Sequence, residues 1–467
     1  MKMSERLFKT SIIYFIGQVF TKLISFILLP LYTNYVAVSD FGYYDLAISI
    51  LGVVVPVVFL EIWTGTLRFS LEKEDDEGKR KVVNNSIIIA GGCAAIYFLL
   101  YFVAFIVLRF EQSIYIFLYS VFWVFQLMYL SIARAYGQNA LYASSGVISV
   151  AVNTFVSIIA VFLLDGDVAA LYIGMCASFA VQAFIIDRKT KIVKNFKVSD
   201  FDKALCRELI RFSFPLSFNS IINWLLEGCN KLIITGVLGS AANGIYAIGN
   251  RLSNVLNLLV SVFILSWQES IFRISNQDEK NRVYNSCINS FTKVVGGCLV
   301  LLLPVMKIMF PFLIGTEYRE VYGLIPFLLL AIYMNALCSV VSPLFAAEKQ
   351  TKYSFYTKIV MAATNLIVIL STIGKIGLYS SPIALILANF VGLIVQLLFA
   401  KKFVVIKMKK SNIIVFVALY IITCGCYFKG NNLINVIWFG VALIWYVFYL
   451  RDFIKDIVGI LMSQFKK

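Results

Sequence analysis

The chain has no histidine at all among its 467 residues. That removes the side chain most often used to relay protons near neutral pH. Charge is also scarce. Asp, Glu, Lys and Arg make up 14% of the chain, against roughly 25% in an ordinary soluble domain. With 60% hydrophobic residues and a mean hydropathy of +0.86, a water-soluble fold of this size could not cover its apolar surface. Short alternating apolar segments are lacking, which excludes an outer-membrane barrel. The first apolar run lacks a small-residue cleavage site and continues for over twenty residues. It is therefore expected to stay as a membrane span and not to be removed as a signal.

What remains is a chain of long apolar runs, each sufficient for a helix to cross a bilayer. We read an all-α polytopic membrane protein with about 14 transmembrane helices. The runs are 11–33, 43–65, 84–108, 114–133, 145–164, 169–187, 212–238, 244–272, 288–315, 323–345, 353–373, 381–400, 411–428 and 433–450. The nine cysteines mostly fall inside them, where a thiol behaves as a small hydrophobe. Cys424-Gly-Cys426 has the spacing of a metal or redox pair, but without histidine and in a membrane it is read as packing. No metal and no bound cofactor are expected.

Orientation follows from charge. If the N-terminus is cytoplasmic, 32 of the 41 Lys and Arg fall on the cytoplasmic side, and only Arg109, Arg319, Lys375 and Lys429 fall in outer loops. The positive-inside rule then places both termini in the cytoplasm. The net charge of +16 reflects this topology and attraction to anionic lipid, so nucleic acid is not expected as a partner. The outer loops are too short to form a domain. The longest cytoplasmic segment, 188–211, opens with the basic run RKTKIVKNFK and continues as SDFDKALCRELIRF, where Ser199 and Asp202 suggest a capping box for a short amphipathic helix. The tail 451–467 places Ile454, Ile457, Val458, Leu461 and Phe465 on one helical face and is expected to lie on the membrane surface.

The chain also repeats itself. SDFGYYDLAISI (39–50) faces AANGIYAIGNRL (241–252) at an offset of 202, as RLFKTS (6–11) faces ELIRFS (208–213). RFS (68–70) faces RIS (273–275) and GGC (91–93) faces GGC (296–298) at 205, and Gln138 and Asn153 face Gln350 and Asn365 at 212. The matches are colinear and the offset only grows, as loop insertions require. Six spans is an even number, so the copies run parallel. Two parallel six-helix repeats plus two C-terminal helices make a two-lobed exporter fold, in which two halves flank a cavity. The expected parts are an N-terminal lobe over 1–187, a linker over 188–211, a C-terminal lobe over 212–400, two extra helices over 401–450 and the tail over 451–467. Gly42-x-Tyr44 and Gly244-x-Tyr246 are expected at the outer turns of equivalent hairpins, with Gly permitting the turn and Tyr anchoring at the interface.

Ionisable groups inside a bilayer are costly and so point to function. Lys293 and Asp187 lie near inner ends, and Lys307 near the outer third of its span, where snorkelling accounts for them. Lys22, Lys231 and Arg251 are deeper, and we take them as cavity cations for an anionic, phosphate-bearing substrate. Glu227 lies four residues before Lys231, in position for an ion pair. Glu227, Glu61, Glu269 and Asp45 are candidates for coupling to a proton or sodium gradient. Spans 1, 2, 7 and 8 carry nearly all of these groups.

Two stretches carry a family resemblance. FIGQVFTKLISFILLPLYTNYVAVSDFGYYDLA (15–47) resembles the first hairpin of Wzx-type polysaccharide flippases of the multidrug/oligosaccharidyl-lipid/polysaccharide exporter superfamily. FSFPLSFNSIINWLLEGCNKLIITGVLGSAANGIYAIGNRL (212–252) resembles their seventh and eighth helices. The resemblance implies a transporter and not an enzyme. Its cargo would be an undecaprenyl-pyrophosphate-linked oligosaccharide unit for O-antigen or capsule, flipped to the outer leaflet of a bacterial plasma membrane by alternating access. A glycan polymerase would be a pathway partner, and membrane lipids the surroundings. A peptidoglycan- or teichoic-type precursor is the alternative cargo, and a cation-coupled drug antiporter is a further one that the basic cavity disfavours. Relatives often carry Asp-Arg or Asp-Lys in helix 7 where this chain has Asn230-Lys231, which leaves Glu227 as the substitute acid.

Overall fold

The structure, a computed structural model, describes residues 28–272 and 277–451. Most of the first apolar run, with Lys22, and residues 452–467 of the expected amphipathic tail lie outside the described residues. The described chain is helical, with no strand among the described residues. Its long helices are α1 (Val38–Val58), α2 (Ile62–Leu71), α3 (Asp76–Leu108), α4 (Ser113–Ala135), α5 (Asn139–Leu163), α6 (Ala169–Thr190) and α7 (Lys203–Leu238). They continue with α8 (Ser240–Ser253), α9 (Val255–Phe272), α10 (Gln277–Leu313), α11 (Val321–Ala347), α12 (Lys352–Ile376), α13 (Ser380–Ala400), α14 (Lys410–Lys429) and α15 (Asn432–Tyr449).

Eleven helical stretches among the described residues are long and apolar enough to cross a membrane, where fourteen runs were expected. One of the differences has a physical cause in the chain. Lys352–Ala400 counts as one stretch although it holds α12 and α13, because a single 3-10 turn, Gly377–Tyr379, joins them. The run 244–272 is interrupted at Asn254, leaving pieces of 14 and 18 residues. The helix expected within the linker is different as well. Asp202 caps it, accepting from the main-chain N–H of Ala204 at 2.8 Å and Leu205 at 3.2 Å, but the helix runs on unbroken as the 36-residue α7.

By packing, the chain divides into two compact units. One comprises Met1–Thr235 and Gly239–Gly244, the other Gly236–Leu238 and Ile245–Lys467. In the first unit α5 packs along α6, α4 packs on α6, and α2 packs on both α3 and α4. The second unit has the same pattern of neighbours: α12 along α13, α11 on α13, and α9 on α10 and α11. A buried glutamine recurs as well, but it bonds to a different helix in each unit, since Ser145 lies on α5 and Ser342 on α11. Gln182 on α6 donates to Ser145 Oγ (3.3 Å), and Gln396 on α13 donates to Ser342 Oγ (3.0 Å).

Asparagines fix the connecting segments in both units. Asn85 on α3 donates to the Asp200 carbonyl and accepts from the Asp202 N–H, both at 2.8 Å. Asn285 on α10 binds Val405 and Lys407 in the same way, and Asn289, one turn on, takes the carbonyl of Lys407 and the N–H of Lys409. Each amide offers one donor and one acceptor, as a neighbouring strand would, so the extended segment keeps its main chain paired. On the same surface Asp75 caps α3, and the Gly78 N–H it accepts holds its carboxyl below the usual range.

The additional helices α14 and α15 are bound to the second unit by two lysines of α10. Lys307 was expected to snorkel. Instead, its ammonium donates to the carbonyls of Tyr427 and Gly430 (2.5 Å each) at the C-terminal end of α14, 5.6 Å from the Tyr322 ring centre. A cation at a helix C-terminus is favourable by about 0.3–1 kcal/mol at an exposed site and more when partly buried. Lys293 sits 4.3 Å from the Tyr449 ring centre, a cation–π contact to α15.

The two Gly-x-Tyr motifs meet each other. Gly42 and Gly244 are not in turns. Both lie inside helices, and neither is among the glycines with positive φ. A Cβ built on Gly42 would lie 1.8 Å from the Ser240 carbonyl oxygen, and one on Gly244 would lie 2.2 Å from that of Val38. Val38 and Ser240 are themselves 202 apart, so the contact is symmetric between the copies. Asn243 seals it by donating to the Gly42 carbonyl at 2.7 Å. Tyr44 and Tyr246 are 4% and 1% exposed, so they pack within the protein and do not anchor at an interface.

This contact makes a direct prediction. Gly42→Val should destabilise the purified protein by about 3 kcal/mol or more, because its new atoms meet backbone that cannot yield. Gly52→Ala, where nothing lies within 4 Å, should be neutral or stabilising by about 0.5–1 kcal/mol. Thermal unfolding of the two variants in one detergent checks both.

Candidate functional site

The α1–α2 chain and α7 run antiparallel along a seam within the first unit. Gly65 meets Ser213, Glu61 meets Ser220, Gly228 meets Ser49, Asp45 meets Lys231 and Gly42 meets Ser240. Numbering falls on one side as it rises on the other. Small residues recur at every level but that of Asp45 and Lys231, which lets the two backbones approach as they do in many membrane helix pairs.

The charges concentrate on this seam. Lys231 Nζ lies 2.8 Å from Asp45 Oδ2, with the side chains only 22% and 11% exposed. This pair answers the missing acid beside Lys231. The carboxylate comes from α1, about 190 residues earlier, and not from position 230, where buried Asn230 stands. Glu227 lies one turn before Lys231 on an exposed position of α7. The ammonium is thus bonded across helices and not to the nearest acid on its own helix.

Farther along, the first chain breaks. α1 ends at Val58, and Leu60 (φ 57°) and Glu61 (φ 48°) both adopt the left-handed conformation before α2 begins. Consecutive non-glycine residues in this region carry strain of about 1–3 kcal/mol each. Pro56 contributes by removing an N–H from the last turn of α1, and the Glu61 N–H reaches back to the Pro56 carbonyl at 2.9 Å. The Glu61 carboxylate accepts from Ser220 Oγ at 2.6 Å, so this broken segment is held by α7.

The structure therefore brings Asp45, Glu61, Glu227 and Lys231 to one seam. Arg251 lies in α8, partly buried, and belongs to the second unit. Glu269 lies within α9, with its side chain outside the described residues, as Lys22 is altogether. Sequence reasoning missed Ser220. An isolated serine in an apolar run carries no signal until its partner is known. The break at Leu60–Glu61 did leave a signal, a proline and a carboxylate five residues apart in an apolar run. Cys424 and Cys426 are free thiols on α14, and among the described residues no cluster of three or more acids and thiols is placed to hold a metal.

Chemically, the seam offers a cation held by an internal anion. An incoming anionic group would compete with Asp45 for Lys231.

Comparison with known proteins agrees on family and fold. A family profile described as polysaccharide biosynthesis protein matches residues 7–267. The fold is similar to that of the lipid II flippase MurJ in an inward closed conformation, with a TM-score of 0.71 at 15% identity, covering 95% of this chain and 100% of that one. It is also similar to an inward-facing multidrug resistance MATE family transporter of the MOP superfamily (TM-score 0.64, 15% identity, 86% and 95% covered). A mutant of the Vibrio cholerae MATE transporter VcmN gives a TM-score of 0.56 at 15% identity, with 85% and 97% covered. No curated protein matches the sequence. The chain has the two-lobed fold of these exporters and is a multi-pass membrane protein.

If the Asp45–Lys231 pair is what holds α1 to α7, Asp45→Asn should lower stability by about 3–5 kcal/mol, the usual result of orphaning one partner of a buried pair. The exchange Asp45→Lys with Lys231→Asp should recover part of that loss. Thermal unfolding of the two single variants and the exchange measures the coupling, and additive effects would show that the groups do not interact.

Proposed function

The chain belongs to the polysaccharide biosynthesis protein family, and from that premise we propose that it is a flippase for lipid-linked oligosaccharides. In this reading it moves undecaprenyl-pyrophosphate-linked repeat units from the cytoplasmic to the outer leaflet of a bacterial plasma membrane, for O-antigen or capsule. It works by alternating access and forms no covalent intermediate. The observation that carries the reading is the family match joined to a fold shared, over nearly the whole chain, with a flippase for another lipid-linked precursor.

The residue roles follow from charge. Lys22, Lys231 and Arg251 bind the pyrophosphate and acidic sugars. Lys231 does so by leaving Asp45, which makes the pair a competitor for the cargo and links binding to the α1–α7 seam. Glu227, Glu61, Glu269 and Asp45 are the groups through which a proton or sodium gradient would act. Both termini face the cytoplasm, and a glycan polymerase on the outer side would consume the product. The fold likeness to a lipid II flippase supports a second reading, with a peptidoglycan-type precursor as cargo.

Cells lacking the protein should lose surface polysaccharide and accumulate the lipid-linked oligosaccharide on the cytoplasmic side. Lys22→Ala and Arg251→Ala should each abolish surface glycan at unchanged protein level. Normal glycan in both would sink the cationic binding role. Lysis with normal surface glycan after deletion would instead favour the peptidoglycan-type cargo.

A further inference from the structure

A cavity of about 370 Å³ opens in the first unit between α1, α3 and the start of α4. Its position follows from the break at Leu60–Glu61. α2, beyond the break, packs along α3, whereas α1 touches α3 sparsely, so the two diverge toward the Gly42 end. The floor is buried and apolar (Leu46, Leu51 and Tyr97), and the rim at Leu100 and Leu108 is exposed.

Three tyrosines line this space, yet they give it no polar demand. Tyr97 donates to Ser120 Oγ at 2.7 Å, Tyr101 donates to the Ser113 carbonyl, and the Tyr43 hydroxyl meets the Glu111 main chain. With their hydroxyls engaged elsewhere, they offer the cavity carbon. A polar solute would find no partner there, but a hydrocarbon chain would lose nothing. The lining extends on α1 from Tyr43 to Val58, about 22 Å at 1.5 Å per residue. That exceeds the roughly 15 Å of hydrocarbon in one leaflet. The volume is about that of a dozen methylenes, taking each as close to a water in size. It suits one acyl chain and is far too small for a polyprenyl tail.

Charged residues adjoin the rim in the chain. Leu108 and Phe110 both line the cavity, and Arg109 lies between them, exposed, ending α3 in the left-handed conformation (φ 45°). Glu111 follows, also exposed. Neither has an ion-pair partner among the described residues. Arg109 is also the sole basic residue in the outer loops expected for the first six spans. A cation and an anion, each next in the chain to the lining residue Phe110, match a headgroup that carries both a phosphate and an ammonium.

We propose that this cavity is a phospholipid site, taking one acyl chain of a zwitterionic phosphoethanolamine lipid, with its phosphate at Arg109 and its ammonium at Glu111. On the orientation proposed above, the lipid comes from the outer leaflet. The site is separate from the α1–α7 seam and does not depend on which cargo is flipped.

The test uses the full-length protein in phosphatidylglycerol vesicles with a trace of phosphatidylethanolamine bearing a photoreactive acyl chain. Crosslinked peptides are mapped by mass spectrometry. Labelling should concentrate on 43–58 and 97–116. Ala104→Trp should lose it, as should Ala47→Leu from the opposite wall, while Leu370→Trp on the exposed face of α12 should keep it. Arg109→Gln should weaken labelling about fivefold, the effect of one arginine on an interfacial phosphate, and Glu111→Gln should remove the preference over a phosphatidylglycerol probe with the same chain. Unchanged labelling in both filled variants would overturn the site. Equal labelling by the two headgroups in the wild type would overturn the zwitterionic ligand. Stronger labelling by a photoreactive undecaprenyl phosphate would give the cavity to the lipid carrier instead.

Discussion

The charged seam of the first unit depends on how closely α1 and its continuation can approach α7 and the start of α8. At Gly42 and Gly244 no side chain separates the backbones, and each glycine meets the carbonyl of the residue four positions before the other. In a bilayer, helices gain nothing by hiding apolar surface from one another, because lipid is equally apolar. Association must come from contact and polar pairing. The glycines permit the contact, and Asp45–Lys231, Ser220–Glu61 and Asn243–Gly42 supply the pairing. These bonds are spaced along one seam, so the chain is held at several depths.

A duplicated chain acquires direction by breaking its own symmetry, and the charged seam shows where. At the offset of 202, Asp45 corresponds to Ala247 and Lys231 to Leu29. The glycine contact uses the same position of both copies, but the ion pair, between Asp45 of the first copy and Lys231 of the second, has no symmetric counterpart. Gly42 and Gly244 therefore belong to what the copies share, and Asp45 and Lys231 to where they differ. The break at Leu60–Glu61 is a second departure, since the interruption in the other copy falls at Asn254, which does not correspond to it.

Elsewhere the structure accounts for polar groups one at a time, as a low-dielectric setting requires. Lys307 exchanges water for two carbonyls and an aromatic face, and so attaches α14 to the second unit. Asn85, Asn285 and Asn289 pair extended main chain that would otherwise be left open. Asparagine serves here because its amide presents a donor and an acceptor together, as a peptide does. None of these residues stands out in the sequence, because nothing local distinguishes them from other polar residues near a span end.

Composition and apolar run length alone determined that this is a helical membrane protein, since a bilayer admits few other solutions for a chain so poor in charge. The colinear matches determined that it is built from two copies, and that pattern returns in the packing of both units. Intramembrane cost singled out Asp45, Glu61, Glu227 and Lys231. Only the tertiary structure decided which acid meets Lys231. Local spacing favoured Glu227, because four residues on a helix make neighbours, whereas the bonded carboxylate is 186 positions away and is brought in by the glycine contact. It also decided that Gly42 and Gly244 form a crossing and not a turn. A glycine gives a chain freedom of angle and freedom of approach alike, and the sequence does not say which of the two is used.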